Sequence, residues 1–301
     1  MTDSPTAPHQ DRIFLGIAYG MVAFFMFAVM NASAKWLTQT HHITEIGFWR
    51  CFIAALPVLA YILITHQFTL FKVNRPWLLL MRTLIGNIGL IFTFGAMQNL
   101  PMADATLLFL CSTLITPILA FFFLNERMGL RRWIAIIIGL GGVALLVQPS
   151  GEVKLLGILM GCAAAFTHAS VQVTLRALKE ENSVTVTFYF LIGGALMMTP
   201  FLPFTASGIT TSNELLLIMA VGGSGALAQI CLTFAFKNAP ANTVSPFNFS
   251  GLLWATIFDI VIWSYIPGWP VFLGGAIMIG AKLYILHREK LHANKNTQQN
   301  R

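Results

Sequence analysis

The stretch Leu15–Leu37, LGIAYGMVAFFMFAVMNASAKWL, is matched 141 residues later by Leu156–Leu178, LGILMGCAAAFTHASVQVTLRAL. Leu15-Gly16-Ile17-x-x-Gly20 aligns with Leu156-Gly157-Ile158-x-x-Gly161. Phe25 aligns with Phe166, Lys35 with Arg176 and Leu37 with Leu178. A second match lies at an offset of 139, where Asn99-Leu100-Pro101 aligns with Asn238-Ala239-Pro240 and Gly129 with Gly268. Self-similarity at this spacing reads as two related halves. They join near Pro149–Lys154.

Each half is almost entirely apolar. A bilayer-crossing helix needs roughly 20 mainly apolar residues. Ten runs meet that description, at about 13–34, 45–65, 76–98, 102–124, 131–148, 155–178, 184–203, 213–237, 240–264 and 269–287. The expected fold is therefore all-α and membrane-integral, with five helices in each of two repeats, 13–148 and 155–287. Residues 1–12 and 288–301 are expected to be polar cytoplasmic tails, the first of them disordered. Ala32-Ser33-Ala34 resembles a signal-peptidase site, but the apolar run before it exceeds the 7–15 residues of a signal h-region. It reads as a retained helix.

Composition agrees. Hydrophobic types supply 56% of the 301 residues, charged types 10%, and mean hydropathy is +0.74. Between the spans there is no stretch of ~50 residues in which an attached soluble domain could fold. The net charge of +7 does not point to nucleic acid, because the basic residues flank the apolar runs. With an even span count the termini share one face. Of 18 Lys and Arg, 14 then fall on the face of the termini. Lys35 and Lys154 fall on the other, and Arg50 and Arg82 lie inside spans. That bias expects cytoplasmic termini in an inner membrane. Five spans per half is an odd number, so the second repeat must be inverted relative to the first. Inverted repeats commonly frame a midplane solute site that alternates between the two faces.

Cys51, Cys111, Cys162 and Cys231 all fall in spans, far apart, and suit neither a disulfide framework nor a zinc site. Gly139-x-Gly141-x-x-Ala144 and Gly223-x-Gly225-x-x-Ala228 mimic dinucleotide fingerprints, but neither follows a strand in a βαβ unit. No P-loop, HExxH or GxSxG is present, so neither a cofactor nor familiar hydrolase chemistry is expected. The paired glycines of the GxxxG starts speak to close helix packing.

Polar groups at membrane depth are costly and mark candidate function. Arg82 either snorkels to the inner interface or faces a cavity, and Arg50 poses the same choice near the outer face. Either would meet a carboxylate. Asn87 and Gln229 offer neutral hydrogen bonds, as do Asn31, Gln172 and Asn248. His168, in the sixth span, is either a satisfied core histidine or a group that binds solute or carries a proton. Asp259 is the acid deep in a late span: it couples transport to protons, pairs with an arginine, or faces outer water. Trp254 either stacks on solute or packs toward lipid. Pro117 and Pro246 remove helix hydrogen bonds and are candidates for gating or for shaping a cavity. Asp104 sits at a helix start, where a negative charge complements the dipole.

One signature is family-specific. Pro101-x-x-Asp104-Ala105-Thr106 is followed by Thr116-Pro117, Leu124-Asn125-Glu126-Arg127, Trp133, Gly139 and Gly142-Val143. Together these strongly resemble the EamA-type branch of the drug/metabolite transporter superfamily, along essentially the whole chain. Arg50 is similar to an arginine often found in the second span of that branch. The sequence departs from the pattern at Asn125, where glycine is usual, and at Tyr265-Ile266-Pro267-Gly268, which stands where the second half would carry a Gly-Glu-Arg loop. The resemblance implies a secondary transporter of a small polar or zwitterionic metabolite, such as an amino acid or S-adenosylmethionine, working by alternating access. Glu126 and Arg127 are then expected to serve folding or gating at the inner face. Expected partners are the solute, the lipid bilayer and, as coupling ion, protons. The expected assembly is a monomer or homodimer. Two other functions compete: a broad-specificity efflux carrier, and an intramembrane enzyme acting on lipid-linked substrate. The second would need clustered acids, bases or metal ligands at one interface, whereas the acids here are scattered.

Overall fold

The computed structural model describes residues 9–123, 129–144, 155–239 and 241–299. Along them run thirteen α-helices. In the first half these are α1 (His9–Leu37), α2 (Ile43–Ile64), α3 (Pro76–Asn99), α4 (Met102–Leu110), α5 (Ser112–Phe123) and α6 (Leu130–Ala144). In the second they are α7 (Leu155–Ala177), α8 (Ser183–Met198), α9 (Leu202–Thr205), α10 (Ser212–Asn238), α11 (Ala241–Val244), α12 (Ser250–Trp263) and α13 (Trp269–Gln299). Short 3-10 turns cover Phe68–Phe71, Thr199–Phe201 and Ser245–Phe249. Long apolar runs become helices because lipid offers backbone N–H and C=O groups no partners outside the segment.

Eight stretches among the described residues are long and apolar enough to cross a membrane, and two shorter apolar helices, Arg132–Val143 and Trp269–Ile285, lie where the fifth and tenth spans are expected. The chain is thus a multi-pass membrane protein. Two boundaries differ from expectation: α1 starts at His9, ahead of Ile13, and α13 runs on to Gln299 through the stretch expected as a tail. Two spans are broken. The fourth is α4 and α5 meeting at Cys111, and the ninth passes from α11 through a 3-10 turn holding Pro246 into α12. Pro117, inside α5, supplies no N–H to the carbonyl of Thr113.

Matching corners take matching shapes. A proline forces the residue before it into extended backbone. Leu100 before Pro101 has φ −126°, ψ 156°, and Ala239 before Pro240 has φ −140°, ψ 148°. Both therefore end their helices, α3 and α10. The turns after α1 and α7 also match: His42 and Asn182 each cap the next helix by accepting the N–H two residues on, from Thr44 and Val184.

The halves pack crosswise. α1 lies on α10 and α7 on α3; α2 meets α8, α4 meets α12 and α6 meets α13. Glycines set the closeness. A Cβ on Gly16 would stand 2.5 Å from the Ala239 Cβ, and one on Gly157 would stand 2.7 Å from Leu100 Cγ. Each half's glycine start thus sits against the other half's Asn-x-Pro corner. Hydrogen bonds repeat the pattern: Ser207 N–H donates to Glu45 Oε2 at 3.0 Å, and Thr185 Oγ1 donates to the Leu70 carbonyl at 2.8 Å. Phe94, Met198 and Ile218 anchor one buried cluster, and Leu107, Leu114, Ile136 and Met278 another. Large apolar side chains such as Phe14, Ile64, Trp77 and Phe123 cover the outside.

Candidate functional site

Arg50 on α2 and Arg82 on α3 turn inward toward one side chain, Phe190 on α8. The guanidinium carbon of Arg50 lies 5.2 Å from the ring centroid and that of Arg82 lies 4.5 Å. Both arginines are buried, at 5% and 8% exposure, so Arg82 does not snorkel to the interface here. Helical spacing on α3 builds the surroundings. Gly86, one turn past Arg82, has no side chain because a Cβ there would strike Arg82 Nη1 and lie 3.0 Å from the Phe190 ring. Asn87, wholly buried one turn past Thr83, donates through Nδ2 to the carbonyls of Thr83 at 2.8 Å and Phe190 at 3.1 Å. Its Oδ1 accepts from Cys51 Sγ at 3.5 Å. Asn87 therefore ties α2, α3 and α8 together around the arginines.

The arginine donors are poorly served. Arg50 Nη1 reaches only Cys51 Sγ, at 3.8 Å. Arg50 Nε, Arg82 Nε and Arg82 Nη1 are buried with no partner among the described residues. None of the carboxylates among those residues makes an ion pair with either guanidinium. A buried donor left unmatched costs about 1–3 kcal/mol, and more when charged. The Phe190 ring compensates through cation–π attraction alone, worth about 2 kcal/mol or more when desolvated. Chemically, the arrangement offers unmatched donors that suit hydrogen-bond acceptors, charged ones above all.

His168 on α7 stands across Gly89 from this group; a Cβ on Gly89 would lie 3.6 Å from His168 Cδ2. Its Nε2 is 3.2 Å from Thr93 Oγ1. The Thr93 hydroxyl donates to the Gly89 carbonyl at 2.8 Å. Toward the imidazole it can accept or donate, according to which ring nitrogen carries the hydrogen. Phe109 covers one side of the ring, with centroids 5.9 Å apart.

Asp259 is elsewhere. Fully buried on α12, it accepts the N–H of Met102 at 3.0 Å and of Ala103 at 2.7 Å, capping the N-terminus of α4. Lys35 Nζ lies 3.7 Å from its Oδ1 and donates to the Leu100 carbonyl at 2.8 Å. Lys35 also sits 4.9 Å from the Trp263 ring. The basic partner beside Asp259 is thus a lysine rather than the arginine expected, and its main contacts are two backbone N–H groups. Trp254 packs edge-on against Phe25 at 4.7 Å, with its Nε1 buried and unpartnered, inside the aromatic cluster that includes Phe258. Gln229, half-buried on α10, makes none of these contacts. Glu126 and Arg127 lie outside the described residues. A cavity of about 310 Å³ between α6 and α13, lined by Ile134, Ala135, Ile138, Ala281 and Tyr284, is apolar and holds none of the candidate residues.

Arg50, Arg82, Asn87 and His168 are thus brought together; Trp254, Gln229 and Asp259 are not part of that group. Phe190, Cys51 and Thr93 were missed. Phe190 is one of 25 phenylalanines, and nothing in its sequence setting separates it from the rest.

Crosswise helical halves enclosing two buried arginines, paired with none of the described carboxylates, make a multi-pass membrane protein with a buried cationic site. The model of the EamA-like transporter family matches residues 14–148 and again 155–286, and the chain belongs to that family. It is therefore a transporter. It is 27% identical over 285 residues to an S-adenosylmethionine uptake transporter of Rickettsia bellii, covering 93% of this chain and 96% of that protein. It is 26% identical over 282 residues to a pseudopaline exporter of Pseudomonas aeruginosa, covering 93% and 99%. An uncharacterized transporter of Helicobacter pylori is 28% identical over 286 residues, covering 92% and 96%. A solved crystal structure shares the fold, with TM-score 0.63 and 18% identity over 91% of this chain and 96% of that one.

Proposed function

We propose that the chain is a secondary transporter for a small polar or zwitterionic metabolite bearing a carboxylate. It lies in the bacterial inner membrane as ten spans, two inverted five-helix repeats at 13–148 and 155–287, with both termini cytoplasmic. The reciprocal glycine-to-corner contacts support the inverted repeat, because each half treats the other alike. The observation that carries the site is the Arg50–Arg82 pair on Phe190, with buried donors unmatched. Those donors receive the carboxylate, Asn87 holds the surrounding helices in register, and opening alternates between the faces as the halves exchange roles. Pro117 and Pro246 sit at or near the breaks in the fourth and ninth spans and serve as flexing points, with Glu126 and Arg127 at the inner gate. His168, an imidazole within hydrogen-bond reach of Thr93, is the proton-linked group. Asp259 acts as a structural clamp on α4. Trp254 and Gln229 line the path beside the site.

Amino acids and S-adenosylmethionine are the first solutes to test. The relative named as an exporter favours efflux as a second direction to assay. Reconstituted protein should exchange a labelled carboxylate metabolite across proteoliposomes, with a rate that responds to an imposed pH gradient. Solute exchange that ignores both the carboxylate and the two arginines would overturn the assignment.

A further inference from the structure

The charge balance at the arginine pair says more than that a carboxylate binds there. Two permanent cations share one ring, and none of the carboxylates among the described residues makes an ion pair with either guanidinium. The polar groups packed nearest cannot supply the missing charge. Asn87 Oδ1 already accepts from Cys51, and Thr93 is committed to Gly89 and His168. Cys51, Asn87 and Thr93 are neutral, and His168 brings no negative charge. A monoanion would therefore leave one guanidinium buried and uncompensated, and burying an unpaired charge is costly. Arginine donors lie in the guanidinium plane, where they suit two-oxygen acceptors.

We infer that the end of the solute held at Arg50 and Arg82 is dianionic, either two carboxylates or one phosphoryl group. This inference rests on the arginine pair being the solute site. S-adenosylmethionine carries one carboxylate against two cationic centres, so it is expected to bind this chain more weakly than a dianion of similar size.

The test uses the purified full-length protein and matched pairs of small probes. Glutarate is compared with its monomethyl ester, and methyl phosphate with dimethyl phosphate, each pair differing by one negative charge at pH 8. Binding is read from the shift of the thermal unfolding midpoint with ligand concentration. The expected result is an affinity about tenfold or more higher for the dianion within at least one pair, and the pair that shows it identifies the oxygen chemistry. Arg82→Gln and Arg50→Gln should each reduce that preference to less than about twofold. Arg82→Lys and Arg50→Lys, which keep the charge, guard against loss of folding and should retain part of it. Equal affinity within both pairs, still dependent on the arginines, would overturn the dianion inference and leave the carboxylate site standing. Affinity for every probe that ignores both arginines would overturn the site itself.

Discussion

Arg50 and Arg82 pair with none of the carboxylates among the described residues, yet their guanidinium groups converge on one phenylalanine, 5.2 and 4.5 Å from its centre. A permanent charge at membrane depth is tolerated where water, a partner or a passing solute receives it. The cluster holds strong donors without matching acceptors, and each prediction about binding follows from that mismatch.

Replacing Arg82 with lysine keeps the charge but loses the planar fork. Affinity for a carboxylate solute should fall by roughly 1.5–3 kcal/mol, the range for hydrogen bonds to charged groups. Expression and melting temperature should stay close to those of the parent. Titration of solute binding and a thermal melt on the same sample check this, and unchanged affinity would remove Arg82 from the site.

Gly16→Leu and Gly157→Leu should each destabilise the protein by about 1–3 kcal/mol, the usual cost of overpacking. The reason is contact: even a methyl at these positions would meet Ala239 or Leu100 at 2.5–2.7 Å. Gly141→Leu is the control, since its Cβ would meet nothing within 4 Å. Detergent-solubilised melting curves should rank the two contact variants below the control.

Asp259→Ala leaves the N–H groups of Met102 and Ala103 without their acceptor and removes one of the negative groups beside Lys35. A loss of about 1–3 kcal/mol is expected. Asp259→Asn retains one acceptor and should lose less. If Asp259 instead couples transport to protons, Asp259→Asn would melt normally while exchange lost its response to a pH gradient.

Topology is tested with reporters active on one face only. A fusion at Arg301 should report the cytoplasm and an insertion in Pro149–Lys154 the opposite side. The reverse pattern would remove the inverted-repeat arrangement and the cytoplasmic termini together.

Much of the architecture was legible because the bilayer imposes few solutions on an apolar chain. Apolar length placed the helices, and the residue before each proline fixed the corners at Leu100 and Ala239. Arg50, Arg82, Asn87 and His168 stood out as costly residues in apolar surroundings. What escaped depends on the approach of distant segments. Phe190 became part of the site only because α8 sets it between α2 and α3, and phenylalanine is the default lining of such helices. The clamp at Asp259 was half visible: a helix start at Pro101–Asp104 needs an acceptor for its N–H groups. The sequence carries no sign that the acceptor arrives from more than 150 residues downstream. The broken helix at Cys111 escaped as well, because Pro117 advertised a bend but not its place.

The seating of Gly16 against Ala239 and of Gly157 against Leu100 also orders the protein's birth. When the ribosome has delivered the first half, α1 has no α10 to lie against, and its glycine face waits in lipid or on a chaperone. Only after Asn238 and Ala239 emerge can that face close, so assembly finishes near the end of synthesis rather than half by half. Two fragments severed between 145 and 154 and made together should therefore find each other, whereas either fragment made alone should be degraded.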